Sequence, residues 1–290
     1  MRSKGDVAAQ RKPRFIGGGF VTNYNMKGIM MIEQFRIKFP KKKAHALDQN
    51  EEYFFLMEPE DKERKILFHE YGEIYKIKGL YEHLFYERLK CNSPTKVSEA
   101  LKYSLSQVQE NLSELRVLDL GAGNGMMGEQ LRKQGVARLV GADIIPEAKE
   151  SAERDRPMIY DAYYVADFCN LTAEQKEDLQ EWSFNCLTTV AALGFGDIPT
   201  KAFTEAFNIL QSKGWIAINV KETFLDKSDT TGFSIAIREL ILSEYLDVYY
   251  LERYRHRLSM EGQPLYYFTI AGRKNADIPQ DLLTSIGVTA

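Results

Sequence analysis

From Leu115 onward, short apolar runs alternate with amphipathic stretches at a nearly constant interval, and that alternation leaves few architectures open. The runs are Arg116–Leu120, Arg138–Asp143, Ala162–Asp167, Phe184–Ala191 and Trp215–Val220. Between them, Met126–Gln134, Pro146–Glu153, Thr172–Trp182 and Thr200–Gln211 read as helices, with Gly135 and Gly214 placed as C-terminal stops. Strand and helix in turn require a parallel sheet covered on both faces. A helix over Ser234–Ser243 leads to two last strands, Tyr245–Arg257 and Pro264–Ala271, joined through Met260-Glu261-Gly262-Gln263. That link is too short for a crossover and predicts an antiparallel hairpin. The expected fold class is α/β: a doubly wound, mostly parallel, seven-stranded sheet with a C-terminal antiparallel hairpin.

Ahead of the sheet, Leu67–Lys90 places Tyr71, Tyr75, Tyr81, Leu84 and Phe85 at helical spacing, broken at Gly79, and a third helix is predicted from Pro94 to Gln109. The expected division is a basic, poorly ordered leader over 1–50, a helical lid over 51–112 without a sheet of its own, a catalytic domain over 113–274 and a loose tail over 275–290. Met26, Met30 and Met31 lie within the leader, and a natural start near Met30 or Met31 is expected.

The formal net charge of −3 averages two unlike parts: residues 1–45 carry +9 and the rest carries −12. An acidic body repels nucleic acid, and the basic head reads as a solvated terminus. Cys91, Cys169 and Cys186 form no paired motif, so neither a disulfide framework nor a metal site is expected. No run approaches the ~18 apolar residues of a membrane span, and no secretory signal opens the chain. A cytoplasmic protein without a membrane partner is predicted.

The segment Val117-Leu118-Asp119-Leu120-Gly121-Ala122-Gly123-Asn124-Gly125 ends a strand with an acid, turns on alternate glycines and opens a helix. Glycines allow the tight turn and close approach of a ligand, and the helix start offers unpaired N–H groups. Asp143 and Asp167 end the next two strands, each 24 residues after the acid before it. The carboxyl ends of adjacent strands line one crevice, so Asp119, Asp143 and Asp167 are expected to face one ligand. Asp143 suits ribose hydroxyls, and Asp167 suits an exocyclic amine of adenine with Phe168 against the ring.

Over about Leu115–Arg273 the sequence resembles the class I S-adenosylmethionine-dependent methyltransferases, through the VLDLGAGNG turn, Asp143 and the pair Asp167-Phe168. The runs GADIIPEAKESAERDRPMIYDAYYVADF and RHRLSMEGQPLYYFTIAGRK look like the small methyltransferases related to the Williams–Beuren-region group. The resemblance implies a Rossmann-like methyltransferase fold and S-adenosylmethionine as cofactor. It implies that Gly121, Ala122, Gly123, Asn124 and Gly125 form the loop beneath the methionine portion, with Asp119 orienting that loop or the amino group. It also implies that Asp143 and Ile144 hold ribose and adenine and that Asp167 and Phe168 bind the adenine edge. Relatives acting on adenine or glutamine carry an Asn/Asp-Pro-Pro-aromatic turn where this chain has Thr189-Val190-Ala191-Ala192-Leu193-Gly194-Phe195, which argues against those acceptors.

Methyl transfer from a sulfonium is an in-line displacement, so alignment matters more than a dedicated base. No catalytic residue is assigned. His69, His83 and His256 are the neutral-pH candidates for a base, and each reads first as solvated or structural. Alternation puts His256 with Tyr254 and places Arg253, Arg255 and Arg257 on the other face. Tyr75 and Tyr81, with Ala191, are candidates for the acceptor pocket, in competition with plain helix packing. The expected acceptor is a small molecule. Alternatives are a protein side chain, a non-catalytic cofactor-binding module, and an NAD(P)-dependent oxidoreductase suggested by Gly123–Gly128, whose glycines lie out of register for that fingerprint.

Overall fold

The computed structural model describes residues 36–40, 47, 49–193, 197–225, 233–279, 282 and 284. Most of the leader predicted over 1–50, the suggested start near Met30 or Met31, and most of the 275–290 tail lie outside the described residues.

The chain before the main sheet departs from the all-helical lid that its sequence predicts. Ile37–Lys38 (β1), Tyr53–Met57 (β2) and Glu63–Leu67 (β3) form a three-stranded antiparallel sheet in the order β1-β2-β3. The link between β2 and β3 has no glycine, and Glu60 and Asp61 take its positive φ values of 64° and 57°. Of the charged run Glu-Arg-Lys-Ile-Leu in β3 only Ile66 is buried, so the run lacks an apolar signal. Phe54, Leu56 and Ile66 pack with Phe68, Leu80, Leu84 and Phe85, which gives the lid a core of its own.

Two helical pieces follow, as expected: Tyr71–Tyr75 (α1) and a π-helical turn over Glu82–Arg88, with Gly79 at φ 76° between them. Ser93–Gln107 (α2) buries Val97, Leu101 and Leu105 against the main sheet. This segment is thus seated at two places, because α2 packs on the main sheet while α1 packs on a helix beside that sheet, Pro146–Asp155 (α4 below).

The main sheet begins at Arg116–Leu120 (β4). Met126–Lys133 (α3) and Arg138–Asp143 (β5) follow, then Pro146–Asp155 (α4), Ala162–Val165 (β6) and Ala173–Glu181 (α5). Cys186–Thr189 (β7), Thr200–Ile209 (α6), Trp215–Lys221 (β8), Phe233–Leu242 (α7), Leu246–Leu258 (β9) and Pro264–Lys274 (β10) complete it. The strand order is β6-β5-β4-β7-β8-β10-β9, parallel from β6 through β8, with β10 antiparallel to both β8 and β9. Period-two alternation divides the strands between two apolar layers. Leu118, Leu120, Ile216 and Ile218 face Phe203 and Phe207, while Val117, Trp215 and Ala217 face Leu101, Leu105 and Leu131.

Three local departures have physical causes. The strand predicted to Asp167 ends at Val165, where Asp167 turns the chain by accepting from the Cys169 N–H at 2.8 Å. The strand predicted to Ala191 ends at Thr189, and Ala191 takes φ 58°. In β9 a register shift opposite Leu265/Tyr266 breaks the alternation, so Arg257 is buried beside His256 instead of sharing the exposed face of Arg253 and Arg255. Glu52 neutralises Arg257 in an ion pair in which both side chains are buried.

Candidate active site

Chain direction over the sheet reverses at β4, which lies between β5 and β7, and the crevice outside the carboxyl ends there is the expected ligand site of a doubly wound sheet. A cavity of about 260 Å³ occupies that place. Its walls include Gly121, Asp143, Ile144, Asp167, Phe168 and Ala191 from the main sheet, and Tyr75 and Tyr81 from the lid. A second, narrow cavity of about 30 Å³ shares Tyr75, Tyr81, Gly121, Val190 and Ala191 with it and adds Asp119, Ala122, Gly123 and Asn124. Sharing these walls, the two are arms of one cleft, a wide one and a narrow one.

The glycine turn borders both arms. Gly121, Gly123 and Gly125 have φ values of 70°, 53° and 88°, the left-handed region that costs other residues strain. A Cβ on Gly123 would stand 2.5 Å from the Tyr75 hydroxyl, so the missing side chain is where the lid meets the turn. Gly125 lines neither cavity; it opens α3 and faces Arg156 and Ile159.

Of the three strand-end acids, Asp143 and Asp167 line the larger cavity and Asp119 the smaller. Asp143 accepts from the Gly123 N–H at 2.9 Å and the Ile145 N–H at 3.1 Å, and burial raises its pKa against the pull of these bonds. Asp167 accepts from the Asn170 side chain at 2.7 Å and from the Cys169 N–H, which hold its carboxyl below its ordinary range. Asp119 is 1% exposed and reaches only the narrow cavity. It accepts from the Tyr160 and Thr188 hydroxyls, each at 2.7 Å, and burial pushes its pKa up to about 6.

Several positioning residues carry no local sequence signal. Tyr163 donates to the Gly123 carbonyl at 2.7 Å. Glu82, in the π-helical turn, accepts from the Asn124 side chain at 2.9 Å and from Arg156 at 2.7 Å, tying lid to glycine turn. His69, weighed from sequence as solvated or structural, stands on the cavity wall with its Nδ1 3.1 Å from the Asp197 carboxylate. These two residues are 128 positions apart, so only the fold pairs them. His256 is buried away from the cavity, 2.6 Å from the Ser93 hydroxyl, and burial holds its pKa well below the ordinary value.

Residues 118–218 match the family model described as a methyltransferase domain. The matched segment is similar to such a domain. It spans strands β4 to β8 almost entirely, and the sheet order with its antiparallel end is that of the Rossmann-like methyltransferase fold. No curated protein matches the chain in sequence. Solved structures similar to it include the N-methyltransferase NodS from Bradyrhizobium japonicum, in complex with S-adenosyl-L-homocysteine. The identity is 14% and the TM-score 0.46, over 71% of this chain and 97% of that one. Magnesium protoporphyrin IX methyltransferase from Synechocystis, with bound S-adenosylmethionine, is 12% identical with a TM-score of 0.44, over 63% of this chain and 79% of that one. An S-adenosylmethionine-dependent methyltransferase from Methanosarcina mazei is 14% identical with a TM-score of 0.42, over 57% of this chain and 94% of that one. Around the methyltransferase domain, among the described residues, no helix is long and apolar enough to cross a membrane.

Proposed function

We propose that this chain is an S-adenosylmethionine-dependent methyltransferase acting on a small molecule. The observation that carries the reading is the cleft, with a roomy arm lined by Asp143 and Asp167 and a narrow arm lined by the glycine turn. The residues present fit an adenosyl cofactor. Asp143 holds the ribose hydroxyls, Ile144 and Phe168 flank the adenine, and Asp167 accepts from its exocyclic amine. Ala122 and Gly123 leave backbone close to the methionine portion, and Asn124 fixes that loop to the lid through Glu82. Asp119 holds the loop from below through Tyr160, whose ring also lies against Gly128 at the start of α3.

When bound, the cofactor supplies an electrophilic methyl group. The protein's part is alignment and exclusion of water, and Tyr71, Tyr75 and Tyr81 wall the cavity from the lid side. A cavity of about 260 Å³ walled on one side by these rings favours a small acceptor over a protein side chain. The sequence likeness to the Williams–Beuren-region group agrees with this reading and names no acceptor. The test is incubation of a metabolite extract with methyl-labelled cofactor, followed by mass spectrometry. Label in small products supports the reading, and label confined to protein overturns the acceptor class.

A further inference from the structure

The acceptor side of the cavity has a chemistry of its own. With Asp143 and Asp167 given to the cofactor, the polar wall that remains is His69, Tyr71, Tyr75, Tyr81 and Asp197. Tyr71 stacks on Tyr75 with ring centres 6.0 Å apart and planes at 21°, Tyr81 lies 5.2 Å from Tyr75, and His69 meets Tyr71 edge-on at 5.6 Å. Asp197 and His69 both keep about a fifth of their side-chain surface exposed. No Lys or Arg lines the cavity among the described residues.

These groups discriminate by charge. Three carboxylates, Asp143, Asp167 and Asp197, with no Lys or Arg among them, oppose a phosphate or carboxylate in this cavity. Tyrosine faces beside a carboxylate attract a cation through the ring quadrupole and direct pairing. The Tyr71 hydroxyl reports the same field: burial and then Asp197 raise its pKa. Of these two causes, Asp197 would keep a phenolic acceptor protonated and favour an ammonium, against the burial that disfavours either charge.

We propose that the acceptor is a small amine, held as its ammonium by Asp197 among Tyr71, Tyr75 and Tyr81. This rests on the methyltransferase reading. Before attack, the ammonium proton passes to the His69–Asp197 pair, leaving an imidazolium beside a carboxylate and a neutral amine. The nitrogen lone pair then forms the new N–C bond as the C–S pair departs with sulfur, so charge and electrons balance. Asp143, Asp167 and the three tyrosines are the other titratable groups around this space.

The experiment is calorimetric titration with three probes of one shape: benzylamine, benzyl alcohol and benzoate. S-adenosylhomocysteine is titrated first, alone, and the probes are then added to the saturated protein. Benzylamine is expected to bind about tenfold or more tightly than benzyl alcohol, and benzoate more weakly than either, as a charge-assisted contact requires. Asp197→Asn is expected to loosen benzylamine about tenfold while leaving S-adenosylhomocysteine affinity unchanged, which also shows that the variant is folded. Tyr71→Leu is a second variant, with a smaller loss for the amine alone. Equal binding of amine and alcohol, failure of the amine to bind, or an unchanged Asp197→Asn variant overturns the proposal. Failure of S-adenosylhomocysteine to bind is a separate result: it removes the methyltransferase reading, and amine preference is then read on the protein alone.

Discussion

Gly123 and Tyr75 occupy one space between them, since the hydroxyl stands where a Cβ would go. Gly123→Ala adds that collision to the strain of a positive φ and should cost about 1–3 kcal/mol of stability. Adding Tyr75→Phe removes the colliding oxygen, so the double variant should recover part of the loss in urea unfolding; strict additivity would contradict the contact. Asp119 gives a pH signature. Its folded pKa of about 6 lies above the ordinary 3.8, so between these values the folded chain keeps a proton that the unfolded chain has lost. Stability from this group is therefore present below about pH 4 and is lost as pH rises through 6, on the order of 1–3 kcal/mol. Asp119→Asn cannot ionise, and its stability relative to the parent should rise between pH 4 and 7; a constant difference would contradict the buried carboxylate.

At the scale of elements, a buried polar chain links the lid, the terminal hairpin and the loop after β7. Ala191 donates its N–H to Asn219 at 2.7 Å, Asn219 donates to Tyr254 at 2.8 Å, and Ser93 stands 2.6 Å from both the Tyr254 hydroxyl and the His256 ring. Asn219 thereby holds Ala191 in its left-handed conformation on the wall of both cavities. Asn219→Ala should lower stability by about 1–3 kcal/mol, and Ala191→Gly should restore part of it by removing the strain. No recovery in thermal unfolding would mean that the loop is held otherwise. The elements themselves were largely legible in the sequence. β4 and β5 begin and end where periodicity puts them, because strands buried on both faces read as unbroken apolar runs. β3 was not legible, because a half-exposed strand with one buried side chain carries no such run.

Across the whole molecule, the lid is a small sheet-and-helix unit clamped onto the methyltransferase domain by α1 on α4, α2 on the main sheet and Arg156 on Glu82. The glycine turn and the strand-end acids that line the cleft could be read from sequence, since they follow the order of the sheet. Even there, depth along the strand was hidden: Asp119 lies in the narrow arm, and Asp143 and Asp167 in the wide one. The pairing of His69 with Asp197 could not be read, because one comes from the segment before the main sheet and the other from the loop after β7, 128 residues apart. Calorimetric titration of S-adenosylmethionine into the parent protein and into Asp143→Ala tests the central claim most directly. One binding site in the parent, weakened by about 1.5–3 kcal/mol in the variant, is the predicted result. No binding in the parent at millimolar cofactor, or equal affinity in the two proteins, would contradict it.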